Sequence, residues 1–187
     1  METILKKEII VNKALCRTIG VSLFVMLTAL GAFVRIPLPF TPVPITLQTF
    51  FVLLSGAFLG SLGALSQIIY VLLGVSGLTV FTGAGSGLPY LLGPTGGYLV
   101  GFILASFCVG RLIKHGKQNL FSAFIILCVA DFILLSCGVI WLKLIFGYSF
   151  RKLLFMGFMP FVAGDLFKAL FAASLYIRLE SRIKELF

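Results

Sequence analysis

The chain has 187 residues, of which 60% are hydrophobic and 11% charged, and its formal net charge is +9. Soluble domains carry roughly 25% charged residues, so this composition excludes an ordinary globular core. A membrane-spanning helix needs about 20 mainly apolar residues, which leaves room for about five to seven such helices and for no large soluble domain. The cations flank apolar runs, so membrane topology explains the charge better than nucleic-acid binding does.

Glycine, proline and charge divide the apolar sequence into six predicted helices. We place them at residues 12–34, 45–59, 64–76, 94–112, 120–142 and 153–177, within one transmembrane domain of residues 1–187. Pro94 falls near the start of helix 4, where proline is favoured, and Pro160 predicts a kink in helix 6. The predicted fold is an all-α membrane protein, a compact bundle of six transmembrane helices.

Two irregular segments interrupt this pattern. Arg35–Pro44 has four prolines within eight residues, and Gly77–Gly87 is glycine-rich and uncharged. With six spans, both segments lie at the same end of the bundle. Irregular backbone at membrane depth needs a protein-lined cavity to satisfy its polar groups, and short helices such as 2 and 3 are typical of transporter binding sites. The pattern therefore predicts a binding site at this end.

The distribution of cations predicts the orientation. Ten would lie on the side of the termini and four on the other side: Lys6, Lys7, Lys13, Arg17, Arg111, Lys114, Lys117, Arg178, Arg182 and Lys184 against Arg35, Lys143, Arg151 and Lys152. Positive charge accumulates on the cytoplasmic side. We therefore expect a multi-pass protein of the cytoplasmic membrane with both termini in the cytoplasm and both irregular segments outside.

Two of the six acidic residues, Asp131 and Asp165, fall inside predicted spans. An ionisable group in a membrane is costly and is by default a functional-site hypothesis. Asp165 and Lys168 are three residues apart, so they share a helix face and can lower each other's desolvation cost. A ligand-facing pair and a purely structural ion pair both remain open. Asp131 has no obvious partner in the sequence, and its role is equally open.

Other polar residues converge on the same end of the predicted bundle. They are Thr46 and Gln48 at the start of helix 2, Gln67 and Tyr70 on helix 3, and Thr82, Thr95 and Tyr98 around the glycine-rich segment. Any one of them could instead bridge two helices by a hydrogen bond. Their convergence with Asp165 and Lys168 predicts a substrate pocket.

A stripe of small residues on helix 1 comprises Ala14, Thr18 and Ser22, spaced four residues apart. Such a stripe lets a second helix approach closely. Packing within the chain and docking of a partner subunit are both open readings.

Several functional classes find no support in the sequence. No Walker motif, GxGxxG or HExxH occurs, and no nucleophile has a histidine partner, so we expect neither an enzyme nor ATP hydrolysis by this chain. The single His115 and the cysteines without CxxC spacing (Cys16, Cys108, Cys128 and Cys137) predict no metal site, no disulfide and no cofactor. A self-sufficient vitamin transporter and an intramembrane lipid-modifying enzyme stay as alternatives.

Three segments carry a family resemblance. Residues 36–48 (IPLPFTPVPITLQ), 93–98 (GPTGGY) and 160–168 (PFVAGDLFK) resemble, in order and spacing, the BioY family, the biotin-specific substrate-binding (S) component of energy-coupling factor (ECF) transporters. The resemblance implies a six-helix S component with a biotin pocket near its outer surface, gated by the loop between helices 1 and 2. It also implies partners: a transmembrane coupling subunit that meets the small stripe of helix 1, and two ATPases.

The same resemblance implies roles for individual residues. Asp165 would accept hydrogen bonds from the ureido N–H groups of biotin, while Lys168 would donate to the ureido oxygen or keep Asp165 ionised. Gln48, Thr46 or Asp131 would complete this set, and Tyr98 and Phe81 would cover the thioether ring. The segment 77–92 has no cation, so the carboxylate would bind backbone N–H groups around Gly83, or the start of helix 4 near Thr95.

Overall fold

In the computed structural model, the protein is described over residues 2–113 and 119–186, with side chains for residues 13–113 and 119–180. The helices are α1 Glu2–Phe33, α2 Gln48–Leu59, α3 Leu62–Val75, α4 Gly87–Leu91, α5 Gly96–Leu112, α6 Leu120–Phe146, α7 Phe150–Gly157 and α8 Met159–Leu186. Strands β1 Arg35–Ile36 and β2 Ile45–Thr46 form an antiparallel hairpin. Outside this description lie Lys114, His115 and Lys117, and the side chains of Lys6, Lys7, Arg182 and Lys184.

Six of these helices are apolar and form the bundle. Within the described residues, Lys13–Phe33, Leu120–Phe146 and Phe150–Glu180 are long and apolar enough to cross a membrane, while α2, α3 and α5 are shorter apolar helices. The predicted all-α bundle of six helices is confirmed. The short helix α4 was not predicted, and α7 was predicted only as the start of helix 6.

The hairpin changes the predicted start of helix 2. Residues Ile45 and Thr46 pair with Ile36 and Arg35 in β1, so α2 begins at Gln48 rather than at residue 45. The Pro-rich segment between the strands therefore begins and ends in regular structure. Its Val43 is buried, which fixes the hairpin against the bundle.

Helix ends differ from the prediction for local reasons. Helix α6 runs past Lys143 to Phe146 and ends at Gly147, which adopts the left-handed conformation at φ 62°. Glycine is the usual residue at such a helix end, and a cation in the last turn is favourable to the helix dipole. Lys143 therefore belongs to the helix, although its charge had suggested a boundary at residue 142.

The predicted helix 6 consists of two helices. Helix α7 ends at Gly157 and α8 begins at Met159, with the break at Phe158. Pro160 lies in the first turn of α8, where its missing N–H removes no helical hydrogen bond. The interruption predicted at Pro160 is therefore present, as a break between two helices at Phe158, just before this residue. Helix α5 likewise begins after Pro94, at Gly96.

Glycines allow α5 to pack closely at the centre of the bundle. A methyl group at Gly97 would overlap Trp141 of α6, and one at Gly101 would meet the backbone of Leu134. On another face of α5, a methyl group at Gly110 would overlap Gly60 in the turn between α2 and α3. Such close approach is typical of membrane helices, which gain packing contacts where small residues line the interface.

A buried polar cluster joins four helices away from the irregular segments. Gln67 Nε2 lies 3.3 Å from Thr28 Oγ1 and 3.2 Å from Ser55 Oγ, and Ser55 Oγ lies 2.8 Å from Ser106 Oγ. All four side chains are fully buried. Gln67 therefore bridges α1, α2 and α3, the structural role that sequence alone had left open.

Candidate functional site

The Asp165–Lys168 pair forms the polar floor of a cavity between α8, α2 and the hairpin. Lys168 Nζ lies 2.7 Å from Asp165 Oδ1, and Asp165 is 2% exposed. The residues are one helical turn apart on α8, so both side chains point to the same side of the helix. Each charge offsets part of the cost of burying the other.

Every N–H group of the Lys168 ammonium has a protein partner. Besides Asp165, Nζ donates to the carbonyl oxygen of Thr46 at 2.6 Å and to Thr49 Oγ1 at 2.9 Å. An ammonium has three donors, so all are used. Lys168 thus ties α8 to β2 and to the first turn of α2.

Only one oxygen of the Asp165 carboxylate accepts hydrogen bonds from the described residues. Oδ1 accepts from Lys168 and also from the Thr49 hydroxyl, at 3.0 Å. Among the described residues, Oδ2 accepts no hydrogen bond. An ionised carboxylate has about four acceptor positions, so Asp165 can accept N–H groups from a ligand in the cavity.

Gln48 connects the hairpin, α3 and the glycine-rich segment. Its Oε1 accepts from Thr82 Oγ1 at 3.0 Å and from Thr46 Oγ1 at 3.3 Å, and its Nε2 donates to the Tyr70 hydroxyl at 2.6 Å. Tyr70 in turn donates to the carbonyl oxygen of Val80 at 3.1 Å. Because one buried amide contacts both irregular segments, it fixes their positions relative to each other.

Aromatic rings form the apolar walls of the cavity. The Tyr98 hydroxyl donates to the carbonyl oxygen of Gly157 at 2.7 Å, which holds the ring between α5 and the break before α8. The ring of Tyr90 stacks on Phe81 at a centroid distance of 4.9 Å. Phe81 is itself fully buried beneath Tyr90, so the glycine-rich segment has a packed aromatic base.

The cavity has a volume of about 40 Å³, which is below the range typical of small-molecule sites, so a small ligand requires the lining side chains to move apart. The charged pair, a buried amide and aromatic rings all contribute to its lining. Its lining comprises Val43, Pro44, Thr46, Gln48, Thr49, Thr82, Tyr90, Thr95, Tyr98, Leu99, Phe102, Leu134, Leu135, Phe161, Asp165 and Lys168. This arrangement suits a small ligand with both an apolar body and N–H donors.

Comparison with known proteins agrees with this geometry. A model described as the BioY family matches residues 6–185. The biotin transporter BioY of Thermotoga maritima is 43% identical over 164 residues, which cover 87% of this chain and 94% of the relative. The biotin transporter BioY of Rhizobium etli is 38% identical over 159 residues, 80% of this chain and 84% of that one. The chain belongs to the BioY family.

A solved structure resembles the whole fold. It is the crystal structure of the S-component for biotin from an ECF-type ABC transporter, and it matches with a TM-score of 0.85 at 28% identity. The match covers 91% of this chain and 93% of the solved one. The BioY relatives are named as transporters, and with its apolar helices this chain is a membrane protein.

The structure brings together seven of the residues singled out in this BioY-family sequence. The cavity is lined by Thr46, Gln48, Thr82, Thr95, Tyr98, Asp165 and Lys168. Tyr70 and Phe81 lie behind this lining, where Tyr70 supports Gln48 and Phe81 supports Tyr90. Gly83 follows Thr82 but does not line the cavity itself. The direct contacts expected of Tyr70 and Phe81 are thus replaced by supporting ones in this structure.

Asp131 lies apart from the main cavity. It lines a second cavity of about 290 Å³ between α6 and α8, together with Asp165, Phe132 and Phe158. Asp131 is 7% exposed, and its Oδ1 has no hydrogen-bond partner in the described part of the chain. The ligand contact expected of Asp131 therefore has no geometric support on the side of Gln48 and Thr46.

Sequence reasoning missed Thr49 and most of the apolar lining. Thr49 contacts both charges of the pair, and its position directly after Gln48 in an otherwise apolar helix was the available signal. Tyr90, Phe102 and Phe161 had no signal, because aromatic residues are frequent throughout this sequence. Only the packing of α4, α5 and α8 selects them.

The small-residue stripe faces outward. Ala14, Thr18 and Ser22 are all exposed on α1, and the Thr18 hydroxyl donates to the carbonyl oxygen of Ala14 at 3.0 Å. This hydrogen bond satisfies the hydroxyl within its own helix. Packing of the stripe within the described chain, one of the two readings left open, is excluded.

Proposed function

We propose that this BioY-family chain is the biotin-binding subunit of a vitamin uptake system. It would capture biotin at the outer face of the membrane and deliver it through an ATP-driven ECF module. The observation that carries this proposal is the buried Asp165 carboxylate with one uncommitted oxygen in an aromatic-walled cavity, in a chain whose relatives are named biotin transporters.

The cavity chemistry suits biotin at its polar end. The ureido ring has two N–H donors and one C=O group, and Asp165 Oδ2 is the acceptor available for the donors. Because Lys168 already donates three hydrogen bonds, its role is to keep Asp165 ionised and oriented rather than to bind the ureido oxygen. Gln48 Nε2 uses only one of its two hydrogens, on Tyr70, so the other is available to the ureido oxygen.

The apolar part of biotin would lie against the rings. Tyr98, Phe102 and Phe161 line the cavity together with Gln48 and would cover the thioether ring and the hydrocarbon tail. A site with buried polar groups discriminates against analogues that leave those groups unpaired. We therefore expect strong preference for an intact ureido ring.

Orientation and partners complete the proposal. The excess of cations at the ends of the chain supports six crossings with both termini in the cytoplasm, which makes the hairpin and the glycine-rich segment an outer gate. The exposed stripe Ala14, Thr18 and Ser22 would meet the coupling subunit, and two ATPase subunits would supply the energy. Membrane lipid would surround the other apolar faces.

The deciding experiment is equilibrium binding of biotin to the purified full chain in detergent, by calorimetry without ATP. We expect saturable 1:1 binding, and absence of saturable binding would contradict the proposal. Reconstitution in proteoliposomes then tests delivery. Uptake that needs the ECF module and ATP supports the S-component role, whereas uptake by the chain alone would identify a self-sufficient transporter.

A further inference from the structure

Arg35 lies in the first strand of the hairpin, where it pairs with Thr46 of the cavity lining. We propose that its guanidinium binds the carboxylate at the tail of the ligand. This inference rests on the proposed function, since it assigns the acidic end of biotin to a residue of this chain. It differs from the backbone N–H site expected from the sequence.

The hairpin register directs Arg35 toward the cavity. Arg35 is paired directly with Thr46 across the two strands, and residues directly opposite each other project on the same face of a sheet. Thr46 lines the cavity. The Arg35 side chain therefore leaves the hairpin on the cavity side.

The guanidinium reaches the second irregular segment. A methyl group at Gly83 would come within 2.5 Å of Arg35 Nη1, and the backbone of Gly83 is left-handed, at φ 75°. The preceding residue, Thr82, lines the cavity and donates to Gln48. Arg35 thus extends from the hairpin to the glycine-rich segment, one residue away from the cavity wall on each side.

The charge of Arg35 has no counterpart in the chain. Among the described residues, Arg35 has no hydrogen bond or ion pair. All six acidic residues lie elsewhere: Glu2, Glu8, Glu180 and Glu185 near the termini, and Asp131 and Asp165 on α6 and α8. Asp165 is already paired with Lys168. Arg35 is exposed, so its guanidinium is accessible to an anion from outside the protein.

The other cations near this end are less suited to the role. Lys168 has no free donor, and Lys152 Nζ lies over the ring of Tyr148 at 3.6 Å. Arg35, Lys143 and Arg151 all lie outside the cavity lining, but Arg35 pairs with the lining residue Thr46 and lies beside Gly83. The planar guanidinium of Arg35 offers a fork of donors that matches the two oxygens of a carboxylate.

The arrangement of the charges suits a ligand with polar groups at both ends. Asp165 and Lys168 line the cavity, and Arg35 lies outside the lining, beside Thr46 and Gly83. A ligand held by its ureido ring at Asp165 would present its flexible tail to the opening. Because Arg35 contacts both irregular segments, the bound carboxylate would also hold them together.

The test compares two ligands that differ only at the tail, biotin and its primary carboxamide. Calorimetry on the full chain measures the affinity ratio of acid to amide for the wild type, Arg35→Gln and Arg35→Lys. The matched control is Arg151→Gln, which removes an exposed cation of α7. We expect Arg35→Gln to lower the affinity for biotin about tenfold, the effect of one charge-assisted hydrogen bond, with little change for the amide.

The expected ratio therefore falls in Arg35→Gln, falls less in Arg35→Lys, and stays at the wild-type value in Arg151→Gln. An unchanged ratio in Arg35→Gln would overturn the inference, even if both ligands bound more weakly, because equal losses indicate a structural role. Failure of the wild type to bind biotin would instead contradict the proposed function itself. The two failures are thus distinguishable.

Discussion

Lys168 donates to Asp165 Oδ1 at 2.7 Å, and among the described residues this leaves Oδ2 of the same carboxylate without a partner. All three N–H groups of Lys168 have acceptors in the protein, whereas only one oxygen of Asp165 has donors among the described residues. An ion pair by itself is weak evidence for function, but this one leaves an acceptor on Asp165, which lines the cavity.

The first prediction concerns the acceptor. Asp165→Asn replaces one carboxylate oxygen by an NH₂ group, which cannot accept from the ligand, and removes the charge beside Lys168. Loss of a charged hydrogen bond is worth about 1.5–3 kcal/mol, so we expect biotin affinity to fall about tenfold or more by calorimetry. Ser174→Ala, on the exposed face of the same helix, should bind as the wild type does. Unchanged affinity in a folded Asp165→Asn protein would remove Asp165 from the site.

The second prediction concerns stability. Lys168→Met leaves the Asp165 carboxylate buried with Thr49 as its remaining contact, and breaking a buried pair costs roughly 3–5 kcal/mol. We expect a clear fall in the thermal unfolding midpoint in detergent. The double variant Asp165→Asn, Lys168→Met removes both charges and should recover much of this loss without recovering biotin binding. A single variant as stable as the wild type would contradict the pairing.

The third prediction tests the support behind Gln48. Tyr70→Phe removes the hydroxyl that joins Gln48 Nε2 to the carbonyl oxygen of Val80, which leaves buried polar groups unpaired at a cost of about 1–3 kcal/mol. We expect lower thermal stability together with weaker biotin binding. The control is Tyr176→Phe, since the ring of Tyr176 packs on Phe58 away from the cavity. This variant should keep wild-type affinity. Equal affinities in both variants would mean that Gln48 does not need Tyr70.

The charged residues of the site were predictable because a charge in an apolar helix is conspicuous. Asp165 and Lys168 stand out in the sequence because an ionisable side chain inside a membrane costs free energy. Thr49 does not, because a threonine is common in such helices and its partner Asp165 is 116 residues away. Tyr70 and Phe81 lie behind Gln48 and Tyr90 rather than in the cavity lining, since sequence spacing does not resolve which ring covers another.

The irregular segments were the least predictable part of the fold. Their position at one end followed from the count of spans, but the pairing of Arg35 with Thr46 depends on a hairpin of only two residues per strand. Arg35 was interpreted as a topology signal, one cation among four on its side. Only the three-dimensional contact with Gly83 relates it to the cavity.

The fourth prediction separates Asp131 from the main site. Its Oδ1 has no partner in the described residues, and a buried unpaired carboxylate is expensive. We therefore expect Asp131→Asn to raise the thermal unfolding midpoint while biotin affinity changes less than in Asp165→Asn. Calorimetry and thermal unfolding on the same samples check both parts. A loss of affinity equal to that of Asp165→Asn would instead make Asp131 a ligand contact reached through the second cavity.

The fifth prediction uses two glycines with the same kind of backbone. Gly83 and Gly77 both have positive φ, 75° and 108°, but a methyl group meets Arg35 Nη1 only at Gly83 and nothing within 4 Å at Gly77. Alanine at either position adds backbone strain of about 1–2 kcal/mol, so both variants should lose some thermal stability. Only Gly83→Ala should also weaken biotin binding, because it displaces the guanidinium of Arg35.

The same Gly83 substitution made in an Arg35→Gln protein makes this comparison decisive. In an Arg35→Gln protein the methyl group at Gly83 has no guanidinium to displace, so Gly83→Ala should add little further loss of biotin affinity. Residues that act through one contact are non-additive in this way, whereas independent sites add. Calorimetric affinities for the two single variants and the double variant complete the cycle. Full additivity would show that Gly83 and Arg35 affect the ligand separately.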